Sequence, residues 1–326
     1  MTNYIDIIRQ PIGVELEQFI AMFNESLSHS DGLLSQALDY IRQRAGKRMR
    51  PMLLLLMAKN FGQVTESTHR AGVGLELLHT ASLVHDDIVD EASERRGQAS
   101  VNAVYDNKVS VLVGDYILSA ALLNVCQTHD VEMVRYLSKL GQTLSNGEIL
   151  QLTSNGSETI SEDAYYEVIK QKTAALFEAC CVLGAMSVNA SKEMVSEAQK
   201  FGQTLGVIFQ IRDDIFDYYD SSQIGKPTGN DMAEGKLTLP AIYAVLNHGD
   251  DDIRRIAMAV KNHEASQEDI ARLVAFTKAN GGIEYAEQVM QRMHAEAQQF
   301  IDERVGDNDL KTALQAYLDY TIKRTL

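Results

Sequence analysis

The sequence predicts an all-α protein, and its prolines and its composition both support that fold class. Only four of the 326 residues are proline, and none lies between Pro51 and Pro227, so 175 consecutive residues lack the strongest helix breaker. That interval is rich in Ala, Leu, Glu, Lys and Gln, and it has no alternating Val/Ile/Thr runs bounded by turn dipeptides. We therefore expect helices along the whole chain.

End signals place two helices. A helix over 162–188 follows Thr159-Ile-Ser-Glu162, a capping-box pattern that satisfies free amides at a helix start. A helix over 266–280 ends where Gly281-Gly282 provides a left-handed cap. Short polar segments separate further helices and favour antiparallel neighbours. They lie at 28–32, 60–65, 128–130, 155–158 and 247–252.

The sequence predicts one domain. No repeat or low-complexity linker marks a boundary, so we expect a single all-helical domain over residues 1–326, with a two-domain bundle as the alternative.

A formal charge of −15 excludes a general nucleic-acid binder. The three cysteines form no disulfide framework, no signal peptide is visible, and the longest apolar run, 52–58, is far below the roughly 20 residues of a transmembrane helix. These features predict a cytoplasmic protein without a transmembrane segment.

A first acidic motif, His85-Asp86-Asp87-Ile-Val-Asp90, lies in an apolar helical pattern. Helical spacing puts His79, Ser82, Asp86 and Asp90 on one face. A solvated face could explain two carboxylates one turn apart, but the flanking residues are apolar. Hard cations such as Mg²⁺ prefer oxygen ligands and often bind through one or two carboxylates together with substrate phosphates. We therefore expect a cation site here, with His85 either part of it or a packing residue.

A second Asp-Asp-x-x-Asp unit repeats the pattern. Gln210, Asp213, Asp214 and Asp217 fall on one face of a predicted apolar helix. One such motif is weak support for a cation site, but two of them on apolar helices predict a shared site.

Basic residues complete the pattern. Five cations occur within nine residues, at Arg42, Arg44, Lys47, Arg48 and Arg50. Arg95-Arg96-Gly97 follows the first acidic motif, and Lys226 and Lys236 follow the second. Such clusters are often solvated faces. The adjacent Gly46 and Gly97 instead favour turns on which Arg and Lys converge on a phosphate anion.

In combination these motifs resemble the trans-isoprenyl (polyprenyl) diphosphate synthase family. The resemblance covers about 46–240 and includes Gly-Lys-Arg-x-Arg-Pro, both aspartate motifs, Arg-Arg-Gly, Lys172-Thr173, Gln210 and Gly-Lys-x-Thr-Leu-Pro. Ala45 replaces the first glycine of the family's Gly-Gly-Lys-Arg run. The family implies a single large helical bundle around a central cavity, the isoprenoid synthase fold, and usually a homodimer. It also implies a prenyltransferase that joins isopentenyl diphosphate to an allylic diphosphate such as farnesyl diphosphate.

The resemblance assigns roles residue by residue. Asp86 and Asp90 would bind two Mg²⁺ ions and Asp213 a third, with Asp87, Asp214 and Asp217 in support. Arg95, Lys172, Lys236 and Lys226 would hold the allylic diphosphate, and Lys47, Arg50, His79 and Arg96 would hold isopentenyl diphosphate. Lys172, Thr173 and Gln210 would stabilise the allylic cation.

Product length follows from the residues one turn before Asp86. Short-product relatives block the path of the growing chain here with aromatic side chains, whereas this sequence has Ala81 and Ser82. We therefore expect a long-chain product, from hexaprenyl to decaprenyl, of the kind used for quinone tails. Leu123, Cys126, Tyr136 and Leu137 are candidates for a deeper floor of the tunnel.

Three alternatives stay open. The chain could be a short-chain farnesyl or geranylgeranyl diphosphate synthase. It could be a class I terpene cyclase, although such an enzyme would carry a different second metal motif. It could also be a non-catalytic prenyl-binding subunit of a heteromeric synthase, although such subunits usually lose an aspartate or arginine that this sequence keeps.

Overall fold

The computed structural model describes residues 3–43, 46–95, 97–155, 158–219 and 228–323. Nearly all of these residues lie in helices, as the sequence predicts. The helices are α1 Tyr4–Arg9, α2 Gly13–Ser26, α3 Gly32–Gln43, α4 Met49–Phe61, α5 Glu66–Val89, α6 Val101–Cys126, α7 Val131–Asn155, α8 Glu162–Ile169, α9 Ala175–Met186, α10 Lys192–Phe216, α11 Asn230–Ala233, α12 Leu239–His248, α13 Asp251–Lys261, α14 Gln267–Ala279, α15 Gly282–Arg304 and α16 Asn308–Lys323.

Three short elements interrupt the helices. A 3₁₀ turn, Gln10–Ile12, joins α1 to α2, and a π-helical turn, Lys170–Ala174, joins α8 to α9. The described strands, β1 (Glu94–Arg95) and β2 (Gln98–Ala99), pair antiparallel in a small hairpin.

The chain divides into two compact units. The first comprises Met1–Gly141, Leu176–Gly202 and Val305–Ala316, and the second comprises Gln142–Ala175, Gln203–Arg304 and Tyr317–Leu326. The interpretation of the chain as one domain stays a prediction.

The core of the first unit is built around α4. Its residues from Met52 to Ala58 are buried without interruption, so this helix is apolar on every side. The apolar run 52–58 is thus a core helix. Helix α5 packs along α6, and Gly74 of α5 lies where a Cβ atom would come within 3.1 Å of the Ala121 carbonyl oxygen.

The second unit buries the apolar faces of α11 to α14. In α13, Ile253, Ile256, Ala257 and Val260 follow helical spacing and pack with Val245 of α12 and Leu273 of α14. Because the opposite face of α13 is charged, the helix has one stable orientation in this core.

Helix ends carry the caps expected from polar side chains. Ser266 and Asp269 form a capping box at the start of α14, and Gly281 adopts φ +73° just beyond its end, which confirms the predicted helix. The predicted capping box at Thr159 is wrong. Ser161 caps α8 instead, because its hydroxyl accepts a hydrogen bond from the amide of Ala164.

Within the described residues, α6 is long and apolar enough to cross a membrane by length and composition alone, and 39% of its most apolar stretch is buried in the protein. It packs along α5 on one side. The search for uninterrupted apolar runs missed it because charged residues such as Asp106, Lys108 and Asp115 divide its sequence.

Candidate active site

The first aspartate motif occupies the last turn of α5. Asp86 is half-buried, Asp87 is buried, and Asp90 is exposed just beyond the end of the helix. The amide of Asp90 donates to the Asp86 carbonyl at 2.8 Å, so Asp86 and Asp90 remain one turn apart as the sequence predicts. Asp87 accepts a hydrogen bond from Arg95 Nε at 2.6 Å.

The β1–β2 hairpin carries Arg95 to Asp87. Its turn includes Gly97 at φ +75°, a conformation that favours glycine, and Arg96 lies outside the described residues. The hydroxyl of Ser100 and the amide of Asn102 donate to the carbonyl of Ala92, which fixes the hairpin relative to the end of α5. The structure therefore pairs the first motif with one of the predicted arginines.

Ala81 and Ser82, about one turn before Asp86 on α5, are buried and half-buried respectively, and His79, two turns before Asp86, is buried. The Ser82 hydroxyl donates to the His79 carbonyl at 2.9 Å. His85 contacts α6, where a Cβ on Gly114 would come within 2.2 Å of its Nε2 and where Asp115 Oδ1 lies 3.4 Å from it.

Two of the four candidates for the tunnel floor are corrected. Leu123 is 66% exposed and Cys126 is exposed, so neither lies in the interior of the chain. Leu137 is buried, and the Tyr136 hydroxyl donates to Glu178.

The basic segment before α4 has divided roles. Arg48 adopts φ +55°, its guanidinium lies over the Phe23 ring at 4.4 Å, and its Nη1 is 3.8 Å from a Glu76 carboxylate oxygen. Burial lowers the pKa of Arg48. Arg50 lies near the Phe177 ring, and its buried Nε has no hydrogen-bond partner among the described residues. Lys47 is exposed, and Arg44 lies outside the described residues.

In the second unit, the π-helical turn carries Lys172 and Thr173. A Cβ on Gly147 would come within 2.9 Å of the Lys172 amide nitrogen, and a Cβ on Gly206 within 2.4 Å of the Ala174 Cα. The turn is therefore held closely between α7 and α10. Lys172 Nζ donates to Glu148 at 2.7 Å.

A chain of hydrogen bonds links this turn to α10. Thr173 donates to Gln210 Oε1 at 2.7 Å, Gln210 Nε2 donates to Asp214 Oδ1 at 2.8 Å, and Tyr165 donates to Asp214 Oδ2 at 2.5 Å. Burial raises the pKa of Asp214 well above its usual value, and the charge of Asp231 adds to this, while the two hydrogen bonds act in the opposite direction.

Asp217 of the second motif binds backbone amides of a later helix. It lies just after α10, and its two carboxylate oxygens accept the amides of Asn230 and Asp231 at 2.9 and 3.2 Å. Its carboxylate therefore caps α11, while Asp213 is half-buried on α10.

A cavity of about 160 Å³ opens within the second unit. Its polar lining residues include Lys172, Thr173, Gln210, Asp214, Asp231, Lys236 and Lys261. Lys236 also pairs with Glu234 at 2.6 Å. Lys226 lies outside the described residues.

Three further residues of this region have contacts that the sequence motifs do not predict. Tyr165 precedes Lys172 by two helical turns, a spacing that could have identified it. Glu148, on α7, pairs with Lys172, and no local sequence pattern predicts that contact. Lys261 lies 6% exposed at the end of α13 and donates to the Thr159 carbonyl, and burial lowers its pKa. Its sequence context is that of an ordinary amphipathic helix.

The donor set fits divalent cations bound together with a substrate. Among the described residues, no three His, Cys, Asp or Glu side chains form a ready-made ion site. Mg²⁺ commonly binds through one or two carboxylates plus substrate phosphates and keeps several waters. Asp86 and Asp90, one turn apart at an open helix end, meet that requirement. That the two motifs share a site stays a prediction.

Comparison with known proteins agrees with these features. Residues 31–277 match the Polyprenyl synthetase family. Octaprenyl diphosphate synthase of Haemophilus influenzae is 33% identical over 95% of this chain and 94% of its own. Among solved structures, a geranylgeranyl pyrophosphate synthase from Bacteroides thetaiotaomicron has a TM-score of 0.86 and 46% identity, covering 99% of this chain and 100% of that one. A decaprenyl diphosphate synthase from Rhodobacter capsulatus has a TM-score of 0.90 and 31% identity, covering 99% of each chain.

The all-helical fold therefore matches the isoprenoid synthase fold, and the chain belongs to the polyprenyl synthetase family. It is a trans-prenyltransferase, a polyprenyl diphosphate synthase. The family depends on Mg²⁺ in general, and its substrates are isopentenyl diphosphate and an allylic diphosphate.

Proposed function

We propose that this enzyme extends an allylic diphosphate such as farnesyl diphosphate with successive isopentenyl diphosphates to a long-chain all-trans product for a quinone side chain. The observation that carries the proposal is the pair of small side chains, Ala81 and Ser82, one turn before Asp86. Ser82 keeps exposed surface while Ala81 is almost fully buried, so Ser82 is the better placed of the two to meet a growing chain.

Basic side chains hold the two diphosphates. Lys172 and Lys236, which line the same cavity, bind the allylic diphosphate together with Arg95 and Lys226. Lys47, Arg50, His79 and Arg96 bind isopentenyl diphosphate. The buried Arg50 Nε, which has no hydrogen-bond partner within the part of the chain that the structure describes, supports this role, since a guanidinium binds phosphate oxygens through several N–H groups.

The metal ligands would be Asp86 and Asp90 for two Mg²⁺ ions and Asp213 for a third. When bound, these ions neutralise the negative charge that develops on the departing diphosphate. Asp87, Asp214 and Asp217 support the ligands, because each accepts hydrogen bonds from neighbouring groups in its own unit.

The remaining residues act on the reacting carbons. As the allylic carbon–oxygen bond breaks, Lys172, Thr173 and Gln210 direct carbonyl and side-chain dipoles towards the allylic cation. The double bond of isopentenyl diphosphate forms the new carbon–carbon bond, and the proton that it then loses passes to the released diphosphate. The carbons must be close and dry, because water would trap the cation.

A geranylgeranyl product is the second candidate. The 46% identity to a geranylgeranyl pyrophosphate synthase over almost the whole chain favours it, whereas Ala81 and Ser82 favour a longer product. A non-catalytic subunit is the third candidate, and the presence of all six motif aspartates counts against it.

One assay separates the three candidates. The protein is incubated with radiolabelled isopentenyl diphosphate and farnesyl diphosphate, with Mg²⁺ or with a chelator, and the products are separated by chromatography. We expect Mg²⁺-dependent products from hexaprenyl to decaprenyl diphosphate. A geranylgeranyl product would contradict the long-chain proposal, and no extension would contradict catalysis by this chain.

A matched pair of variants ties the activity to the metal motif. Asp86→Asn should abolish extension, since it removes a metal ligand. Asp251→Asn changes an exposed aspartate in the first turn of α13 and should leave extension unchanged.

We also propose a homodimer in the cytoplasm. The dimer is supported by an apolar outer face on α6, where Leu112, Leu122 and Leu123 are 69%, 40% and 66% exposed. The cytoplasmic placement is supported by free cysteines, since Cys180 and Cys181 are buried without a disulfide.

A further inference from the structure

Tyr165 stands at one end of the hydrogen-bond chain that fixes Gln210. The chain runs from Tyr165 on α8 through Asp214 and Gln210 on α10 to Thr173 in the π-helical turn. Tyr165 itself is 8% exposed and lines the same cavity as Lys172 and Lys236. It therefore lies beside the proposed reacting groups without being assigned to them.

The direction of each bond depends on the next one. The Gln210 amide turns its nitrogen towards Asp214, to which it donates, and its oxygen towards Thr173, from which it accepts. Asp214 accepts one bond at each oxygen, from Gln210 Nε2 and from the Tyr165 hydroxyl. Without the tyrosine hydroxyl, Oδ2 would be a buried acceptor that has lost its donor, and the carboxylate could rotate to recover one.

The neighbouring tyrosine provides a contrast. The ring centroids of Tyr165 and Tyr166 are 5.4 Å apart in an edge-to-face contact. The Tyr166 hydroxyl, however, interacts with Glu162, which is not part of the series of hydrogen bonds from Tyr165 to Thr173. The two residues share a helix and a ring type, and they differ in where the hydroxyl is directed and in burial, since Tyr165 is buried and Tyr166 is half-buried.

We propose that Tyr165 is a positioning residue for prenyl transfer: its hydroxyl orients Asp214 and, through it, the amide of Gln210 that faces the allylic cation. This inference rests on the role proposed above for Gln210. The role proposed for Tyr165 is exerted through Asp214 and Gln210.

The test compares Tyr165→Phe with Tyr166→Phe in steady-state kinetics. A misoriented dipole acts on the chemical step, so Tyr165→Phe should lower kcat by roughly 10-fold to 100-fold and change KM for isopentenyl diphosphate less than about twofold. Tyr166→Phe should stay within about twofold of the wild type in both constants. Thermal unfolding, followed by circular dichroism, reports any loss of fold separately.

A double-mutant cycle tests the route through Asp214. In an Asp214→Asn background, adding Tyr165→Phe should lower kcat by less than about threefold, because the orienting contact is already changed. A further loss equal to that in the wild-type background would overturn the inference, as would a Tyr165→Phe variant that melts earlier but keeps kcat at lower temperature. Failure of the wild type to extend the primer would contradict the proposed function and this inference with it, whereas full turnover by Tyr165→Phe would contradict the inference alone.

Discussion

The residues one turn before Asp86 carry the proposed product length. Ala81 is almost fully buried, whereas Ser82 is half-buried and its hydroxyl is bonded to the helix backbone. The hydrogen-bonding capacity of the Ser82 hydroxyl is therefore largely satisfied by the helix, and the side chain is small. The two positions should respond differently to a large aromatic ring.

We predict that Ser82→Phe shortens the product, because the ring would fill space that the growing chain needs. Ala81→Phe should shorten it too, and should also cost about 1–3 kcal/mol of stability from overpacking. Product chromatography and thermal melts measure the two effects. Ser138→Phe, at an exposed serine on α7, is the control and should not alter the product distribution. Unchanged products in both α5 variants would disprove the tunnel assignment.

Burial also decides the chemistry of two thiols. Cys180 and Cys181 are 0% exposed, and burial raises the pKa of each, so the reactive thiolate is scarce. We predict that both stay unmodified by a thiol reagent at pH 8 and react only after unfolding in denaturant. Because a raised pKa means that the thiolate forms only at higher pH, a change from pH 7 to pH 9 should not make either cysteine react. More than one reacting thiol per native chain would contradict this prediction.

At the scale of elements, the π-helical turn depends on two glycines that allow its neighbours to approach. Gly206 of α10 and Gly147 of α7 each leave no room for a methyl group against the backbone of 170–174. Backbone atoms cannot move aside as a flexible side chain can. The placement of Lys172 and Thr173 therefore depends on residues outside the motifs.

We predict that Gly206→Ala destabilises the enzyme by about 1–3 kcal/mol. It should also lower kcat by at least as much as the loss of folded enzyme accounts for, because Lys172 and Thr173 would be displaced. Denaturant unfolding and steady-state kinetics provide the two measurements. Gly13→Ala is the matched control, because Gly13 lies in a helix with nothing within 4 Å of the added methyl. That variant should be neutral or slightly more stable. Equal behaviour of the two variants would refute the packing argument.

Helix positions were largely predictable from sequence, because polar joints and glycine caps mark chain reversals locally. The helix at 267–279 and its Gly281 cap follow from such signals. The π-helical turn was not predictable, since it arises from close packing against α7 and α10. The contacts of Asp217 were not predictable either, because its carboxylate binds amides that come 13 and 14 residues later in the sequence.

At the scale of the molecule, the sequence pattern predicted the family and the residue types of the site, and left open contacts between distant segments. Glu148 and Lys261 contribute through such contacts, to Lys172 and to the Thr159 carbonyl. Assembly is another property of the whole molecule, and the exposed side of α6 bears on it.

We predict that the enzyme is a dimer through this face and that the double variant Leu112→Glu/Leu123→Glu is monomeric. Two carboxylates in an apolar contact would each lack a partner on association. Light scattering after size-exclusion chromatography measures the mass. Val14→Glu changes an isolated exposed side chain on α2, 68% exposed, and should leave the dimer intact. A wild-type monomer, or a double variant that still dimerises, would contradict the prediction.

The π-helical turn also restricts how the length of this protein can vary. A π turn holds one residue more than an α-helical turn, so the side chains after it are out of phase with those before it by about 100°. Removing one residue from Lys170–Ala174 would restore a regular helix, and it would take away the widened turn whose backbone packs against Gly147 and Gly206. A one-residue deletion after α12, near Gly249, would not alter that turn. Among related sequences, insertions and deletions should therefore collect between helices and be absent from the run that joins Tyr165 to Thr173.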